Sequence, residues 1–375
     1  MNGYMNALDG IVADVVAPAA AAVDRDGTFP RKAVEALGSA GILGLTVPTT
    51  AGGVGGDLRD AAVVIETLSR ACGSTAMVVL MHYSAVALLN VAGPAETQSA
   101  IAEGRHLTTL AFSEVGSRSH FWTPVSTATP SDDGVRLSAD KSWATSAGEA
   151  DSYVWSSRPL AADGPMTVWL VPADTTGIEV AGPFDGLGLR GNASRPMRGR
   201  DVPVPTSAML GADGAGLDLT MQTALPWFLV LSGAFSVGLM RAVHTEAVAH
   251  LTRTRLQHLD QSLAQQPLVR HDIGRMQMEV DRTAAVVEST LAALEAQRDD
   301  AMLRVLEVKA IAAEAAIAVT DLAMKACGGS AFRKELGIER RFRDARAARV
   351  MSPTTDQLTD FVGRAVCGMP LLDGS

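Results

Sequence analysis

The sequence predicts an α+β, mainly helical fold in three segments: an N-terminal helical domain (residues 1–105), a central small antiparallel β-barrel or sandwich (106–212) and a C-terminal four-helix bundle (213–375). Three observations predict it. Apolar residues recur at helical spacing up to about Glu103, as in Ala33, Leu37 and Ile42 and again in Ala62, Ile65 and Leu68. Between about Arg105 and Ala212, short runs rich in Val, Thr, Leu and Trp alternate with Pro, Gly and Asp clusters, the pattern of strands and turns. From Leu217 onward the helical period returns.

In the first segment the largest interruption of the helical pattern is residues 47–57, with Pro48 and the run Gly52, Gly53, Gly55 and Gly56. It lacks both GxGxxG and a following Lys-Ser/Thr, so a tight structural turn is expected there rather than a phosphate cradle. The second segment predicts strands at 107–112, 125–128, 135–141, 153–157 and 166–171, with turn chemistry such as Ser131-Asp132-Asp133-Gly134. The third predicts long helices at 219–253, 266–297 and 301–327 and a shorter one near 355–366, lengths that suit an up-and-down bundle.

Composition narrows the class. The chain has 375 residues, 47% hydrophobic and 19% charged, which is the profile of a core-forming protein of two to three domains. A formal net charge of −9 argues against a nucleic-acid partner, because phosphate binding needs a basic face. Cys72, Cys327 and Cys367 lie far apart without metal-ligand spacing, so no metal site is predicted and a reducing compartment is expected. Residues 1–20 carry Asp9 and Asp14 and no basic cluster ahead of an apolar run; no signal peptide is predicted and the expected location is cytoplasmic. The most apolar stretch, residues 227–240, is shorter than the ~20 residues a membrane span requires, so a buried core helix is expected and no membrane partner.

Several longer motifs then carry a resemblance: Phe29-Pro30, the LGSAGILGLTVP run from Leu37, ETLSRACGS from Glu66, FSEVGSRS from Phe112, KSWATSAG from Lys141, GLGLRGNASRP before Asp201, CGGSAF from Cys327 and RFRDARAARVM from Arg341. In these the sequence resembles the acyl-CoA dehydrogenase superfamily along essentially its whole length. The resemblance implies a flavin, usually FAD, and a homodimer or homotetramer. It implies flavin contacts at Ser113, Trp143, Thr145 and Ser146, an acyl-substrate contact at Ser119, and dinucleotide contacts at Arg255, Gly328, Gly329, Thr354 and Asp356. A protein contributes placement and hydrogen bonds to a cofactor that carries the redox chemistry. Each residue also has a plain alternative: Trp143 as core, Ser113 and Thr145 as strand hydroxyls, Gly328 and Gly329 as a helix C-cap, and Arg255 as an exposed arginine at a helix end.

The pattern breaks where catalysis is expected. Oxidation of an acyl thioester removes a weakly acidic α-proton while hydride leaves the β-carbon, and the family uses a carboxylate as base. Counted from Arg343-Asp344-Ala345, the family's Tyr-Glu-Gly-Thr falls on Met351, Ser352, Pro353 and Thr354, so Ser352 stands at the glutamate position. The other base position known in the family lies on the helix over residues 223–242, which contains no acidic residue. A serine hydroxyl is far too weak an acid to substitute without another base. His120 replaces the aspartate of the family's Gly-Ser-Asp run, and His82 with Tyr83 lies on an otherwise apolar stretch. These three are candidate catalytic residues for a monooxygenase of the same fold that uses reduced flavin, FMN included; the alternative for each is a structural role. The expectation is thus a flavin-dependent oxidoreductase acting on an acyl thioester of CoA or acyl carrier protein with an absent or atypical base. The alternatives are that monooxygenase and a catalytically silent subunit.

Overall fold

The computed structural model describes residues 2–118 and 120–372. Helices α1 (Asn2–Ile11), α2 (Ala17–Asp26), α3 (Arg31–Ser39), α4 (Leu58–Ala71), α5 (Gly73–Ala92) and α6 (Ala95–Ala102) come first. Strands follow: β1 (Thr108–Ala111), β2 (Ser113–Glu114), β3 (Thr127–Ser131), β4 (Gly134–Ala144), β5 (Ser152–Ser157), β6 (Thr167–Pro172), β7 (Ile178–Val180), β8 (Arg195–Val204) and β9 (Met209–Leu210). After them come α7 (Gly216–Gln222), α8 (Ala224–Arg253), a small hairpin of β10 (Arg255–Leu256) and β11 (Gln261–Ser262), α9 (Pro267–Glu295), α10 (Ala301–Cys327), α11 (Ile338–Val350) and α12 (Thr355–Val366). The helix, sheet, helix order is the one the periodicity predicts.

The chain divides into two compact units. The first holds the residues up to Ala61 together with Met77–Asp185 and Arg190–Phe228; the second holds Ala62–Ala76, Gly186–Leu189 and the residues from Leu229 onward.

In the first unit two sheets are formed, one in the order β1-β5-β6-β9 and one in the order β2-β4-β8-β7 with β3 also on β4. The pairings are antiparallel except β1 with β5, which is parallel, a departure from the all-antiparallel expectation. Tyr153, Val154, Trp155, Val168 and Trp169 are buried in the first sheet and Val135, Leu137 and Met197 in the second. The sheets meet where the Trp155 ring lies 3.1 Å from the position a Cβ would take at Gly199. The glycine-rich loop folds on itself: the amides of Gly53, Gly55 and Gly56 donate to Pro48, Val47 and Leu45 carbonyls. Those donors are thereby committed within the loop.

In the second unit α10 packs against α9, α11 and α12. α8 approaches α4 closely through Gly238, where a Cβ would lie 2.0 Å from Ser69 Oγ and 2.3 Å from the Glu66 carbonyl oxygen. The helix predicted at 219–253 is broken at Thr223, whose hydroxyl donates back to the Leu219 carbonyl, and Pro226 then sits in the first turn of α8. The apolar stretch at 227–240 is helical and largely buried, but its length needs correcting. Residues 216–253 and α5 are each long and apolar enough to cross a membrane, as is Gly3–Asp26. The most apolar windows of the first two are 94% and 78% buried inside the protein.

Candidate functional site

In the first unit, the residues at the end of β4 are set by their pairing with β2. Ser113 lies directly opposite Trp143 in that ladder, and a register shift follows between Ser113 and Glu114. What fixes this pairing is the ion pair of Glu114 and Lys141 at 2.5 Å, with both side chains almost fully buried. Glu114 also accepts from the Val125 and Ser126 amides at 2.6 and 2.9 Å, and Lys141 donates to the Ser156 carbonyl at 2.8 Å. Burial alone would raise the Glu114 carboxyl, but the Lys141 charge and the hydrogen bonds outweigh it and hold the pKa below the ordinary value.

With the strand so anchored, Trp143 presents its indole outward, 57% exposed, with the Phe184 ring edge-on at 6.1 Å. Thr145 Oγ1 and Ser194 Oγ are 3.0 Å apart. Ser146 takes a left-handed backbone conformation (φ +61°), and its amide donates to the Asn192 carbonyl. Its hydroxyl is buried and has no hydrogen-bond partner among the described residues. An exposed indole beside half-buried Ser113 and an orphaned buried hydroxyl suits a flat ring with polar edges, so these residues fit a flavin. Sequence reasoning missed Phe184, Asn192 and Ser194; the latter two lie inside the GLGLRGNASRP run, which was the available signal.

The other candidates in this unit are differently placed. His82 is fully buried on α5. Its Nδ1 accepts from the Thr108 amide at 3.2 Å, so Nε2 carries the proton and donates to the Leu43 carbonyl at 3.1 Å. Burial pushes its pKa down to about 4. The Tyr83 hydroxyl, equally buried, donates to the Ile42 carbonyl at 2.6 Å. Both side chains are thus committed to the main chain of the 42–43 turn. His120 is exposed, 2.9 Å from the Ser117 carbonyl oxygen and edge-on to Trp122. The structure does not bring these three into one cluster of free donors. Ser119 lies outside the described residues.

In the second unit, Gly328 ends α10 with φ +56° and ψ −140°, a conformation that glycine alone adopts readily. Gly329 has no such constraint, yet a Cβ at either position would meet nothing among the described residues within 4 Å. Packing among the described residues therefore does not require a bare backbone at Gly329. Arg255 is exposed and donates to the Asp260 carbonyl at 2.8 Å and to its carboxylate, closing the β10–β11 hairpin. Thr354 is the N-cap of α12 in a capping box with Gln357, and Asp356 is exposed in the first turn, where a carboxylate complements the helix dipole. Ser352, half-buried, precedes Pro353 through a cis peptide bond between α11 and α12. Asp344 of the Arg-Asp-Ala run accepts from the Leu189 amide at 2.6 Å, which anchors the helix from which that loop departs. Among the described residues no group of three or more His, Cys, Asp or Glu side chains is placed to hold a metal ion.

The sequence matches family models for the N-terminal domain of acyl-CoA dehydrogenase over residues 5–103, the middle domain over 109–202 and the C-terminal domain over 214–367. It is 28% identical over 355 residues to the mitochondrial short-chain specific acyl-CoA dehydrogenase of Bos taurus, covering 90% of this chain and 83% of that protein. The fold is that of butyryl-CoA dehydrogenase from Megasphaera elsdenii, with a TM-score of 0.90 at 20% identity over 98% of each chain. It is likewise that of the prolyl acyl carrier protein oxidase AnaB, with a TM-score of 0.88 at 18% identity over 98% of this chain and 99% of that one. The chain belongs to the acyl-CoA dehydrogenase family of flavoprotein oxidoreductases.

Proposed function

We propose that this chain binds FAD and oxidises an acyl thioester, carried by CoA or an acyl carrier protein, without a carboxylate at the family's usual base position. The observation that carries the reading is the end of β4: exposed Trp143 opposite Ser113 and beside the orphaned Ser146 hydroxyl. A bound flavin supplies two-electron oxidation. Trp143 would cover one face of the ring, while the Ser113 and Ser146 hydroxyls would donate to its polar edge. Gly328 and Gly329 would let the dinucleotide lie against bare backbone. Ser352 offers a hydroxyl where a carboxylate would take a proton, so proton removal in this chain rests on a group of the substrate or on a base elsewhere. That both butyryl-CoA dehydrogenase and an acyl carrier protein oxidase share this fold supports leaving the carrier at the level of the thioester. The same reading includes the three-segment division at 1–105, 106–212 and 213–375, a homodimer or homotetramer, and a cytoplasmic location suited to three free cysteines.

Serine at position 352 favours a second reading, a monooxygenase that takes up reduced flavin, FMN among the options, and uses oxygen. His82 and Tyr83 do not add to it, since their polar atoms already serve the main chain. The deciding experiment extracts and identifies the flavin, then titrates the holoprotein anaerobically with a panel of acyl-CoA and acyl carrier protein thioesters. Bleaching of the flavin by a thioester supports the proposal. Bleaching by Ser352→Glu alone means a dehydrogenase-shaped pocket that lacks only its base. Product that forms only with oxygen and reduced flavin establishes the second reading, and a flavin-free protein inert in every pairing means a silent subunit.

A further inference from the structure

We infer that Lys309 is a positioning residue for the loop that carries Ser352: reaching from α10, it fixes the main chain on both sides of that serine through three carbonyl oxygens. Nζ donates to Ala348 at 2.8 Å, Met351 at 2.9 Å and Pro353 at 2.8 Å. Ala348 lies in the last turn of α11, Met351 is its C-cap, and Pro353 precedes the N-cap of α12. The last carbonyls of a helix have no partner within it and carry the negative end of its dipole. A lysine from a neighbouring helix satisfies one of them here and ties it to the loop that follows.

The three acceptors also suit the protonated form. A neutral amine has two N–H bonds and would point its lone pair at one carbonyl; only an ammonium supplies three donors. The side chain is 1% exposed, and burial draws its pKa down to about 7, so the ammonium is the main form below neutrality. An apolar side chain of the same length would fill the space and leave these oxygens without this donor, which is costly for buried carbonyls. Lys309 thereby sets where the side chain at position 352 is held, whether that is the native serine or a restored carboxylate. The inference rests on the proposed function only for the importance of position 352; the clamp itself does not depend on it.

The test uses the flavin-loaded 375-residue chain. The chain has five lysines, so Nζ-labelled lysine gives a simple NMR spectrum in which Lys309 is assigned by its loss in Lys309→Arg. A slowly exchanging ammonium is expected at about pH 5.5, below the pKa of about 7, and a neutral amine there overturns the inference. Lys309→Met should speed amide hydrogen exchange over residues 349–357 by about tenfold or more while residues 312–323 of α10 keep their protection, and Lys309→Arg should restore it. Unchanged exchange, or loosening spread evenly through α10, refutes a positioning role. If the Met variant does not fold, Lys309→Gln takes its place against the Arg variant. In a Ser352→Glu background, adding Lys309→Met should slow anaerobic bleaching while half-saturation by thioester stays within about twofold; an equal loss of rate and affinity goes against the inference. If Ser352→Glu is never bleached, the proposed function fails, and the exchange data still decide the role of Lys309.

Discussion

His82 offers a direct measure of whether a buried histidine in this fold is structural or catalytic. In the unfolded chain its pKa is near the ordinary 6.5, while in the folded protein burial lowers it to about 4. The folded-state value is depressed, so the unfolded chain takes up the proton first as pH falls. Stability is therefore complete above about pH 7 and is lost progressively between 6.5 and 4. The full shift corresponds to ~3 kcal/mol, of which ~2 kcal/mol is lost between pH 7 and pH 5. Other groups titrate in the same window, so the informative quantity is a difference of slopes. His82→Gln removes the titration, at a cost of ~1–3 kcal/mol at every pH for the Thr108 amide left without its acceptor. Urea unfolding followed by circular dichroism at several pH values from 7 to 5 should show wild-type stability falling ~2 kcal/mol further than that of the variant. Superimposable slopes would refute the reasoning, since they would mean that the imidazole ionises as readily in the fold as in water. A histidine poised for proton transfer near neutrality would give that second result.

Three further outcomes are expected. Lys141→Met leaves Glu114 buried without its cation and should lower stability by ~3–5 kcal/mol, much of it recovered in the Lys141→Met/Glu114→Leu double variant; thermal melts of the single and double variants decide it. Trp143→Ala should lower flavin retention about tenfold after dialysis. Because Trp143 is 57% exposed, the melting temperature of the flavin-free protein should barely move, and an unchanged flavin-to-protein ratio would remove Trp143 from the cofactor site. Thr354→Ala deletes one half of a capping box and should cost ~1 kcal/mol in urea unfolding, whereas Thr354→Ser should retain most of it.

The architecture was legible because burial and periodicity coincide over most of the chain, as in β4 to β6 and α8 to α10. It was hidden where polar residues do the packing. β8 reads Arg-Pro-Met-Arg-Gly-Arg-Asp-Val-Pro-Val, and its inward positions include Met197, Val202 and Val204 while its register against β4 shifts between Leu137 and Ala139. Proline, glycine and an aspartate at positive φ mask the strand alternation. α11 is similarly opaque: its buried residues include Arg341 and Asp344, held by Glu246, the Arg70 carbonyl and the Leu189 amide rather than by apolar contacts. At the site, the motif Lys-Ser-Trp-Ala-Thr-Ser exposed its own importance, but its supports Phe184 and Ser194 come from distant loops. Lys309 was unreadable from sequence, because nothing local shows that a lysine within an alanine-rich helix will end among three carbonyls.

The second compact unit is assembled from pieces far apart in the chain: Ala62–Ala76 belongs with residues from Leu229 onward, and Gly238 of α8 fits against the backbone of Glu66. During synthesis the early piece leaves the ribosome more than a hundred residues before its partners exist. That unit must therefore wait for most of the chain, and the apolar face of α4 remains a ready target for chaperones until α8 arrives. A nascent chain arrested ahead of residue 229 would keep that face bare.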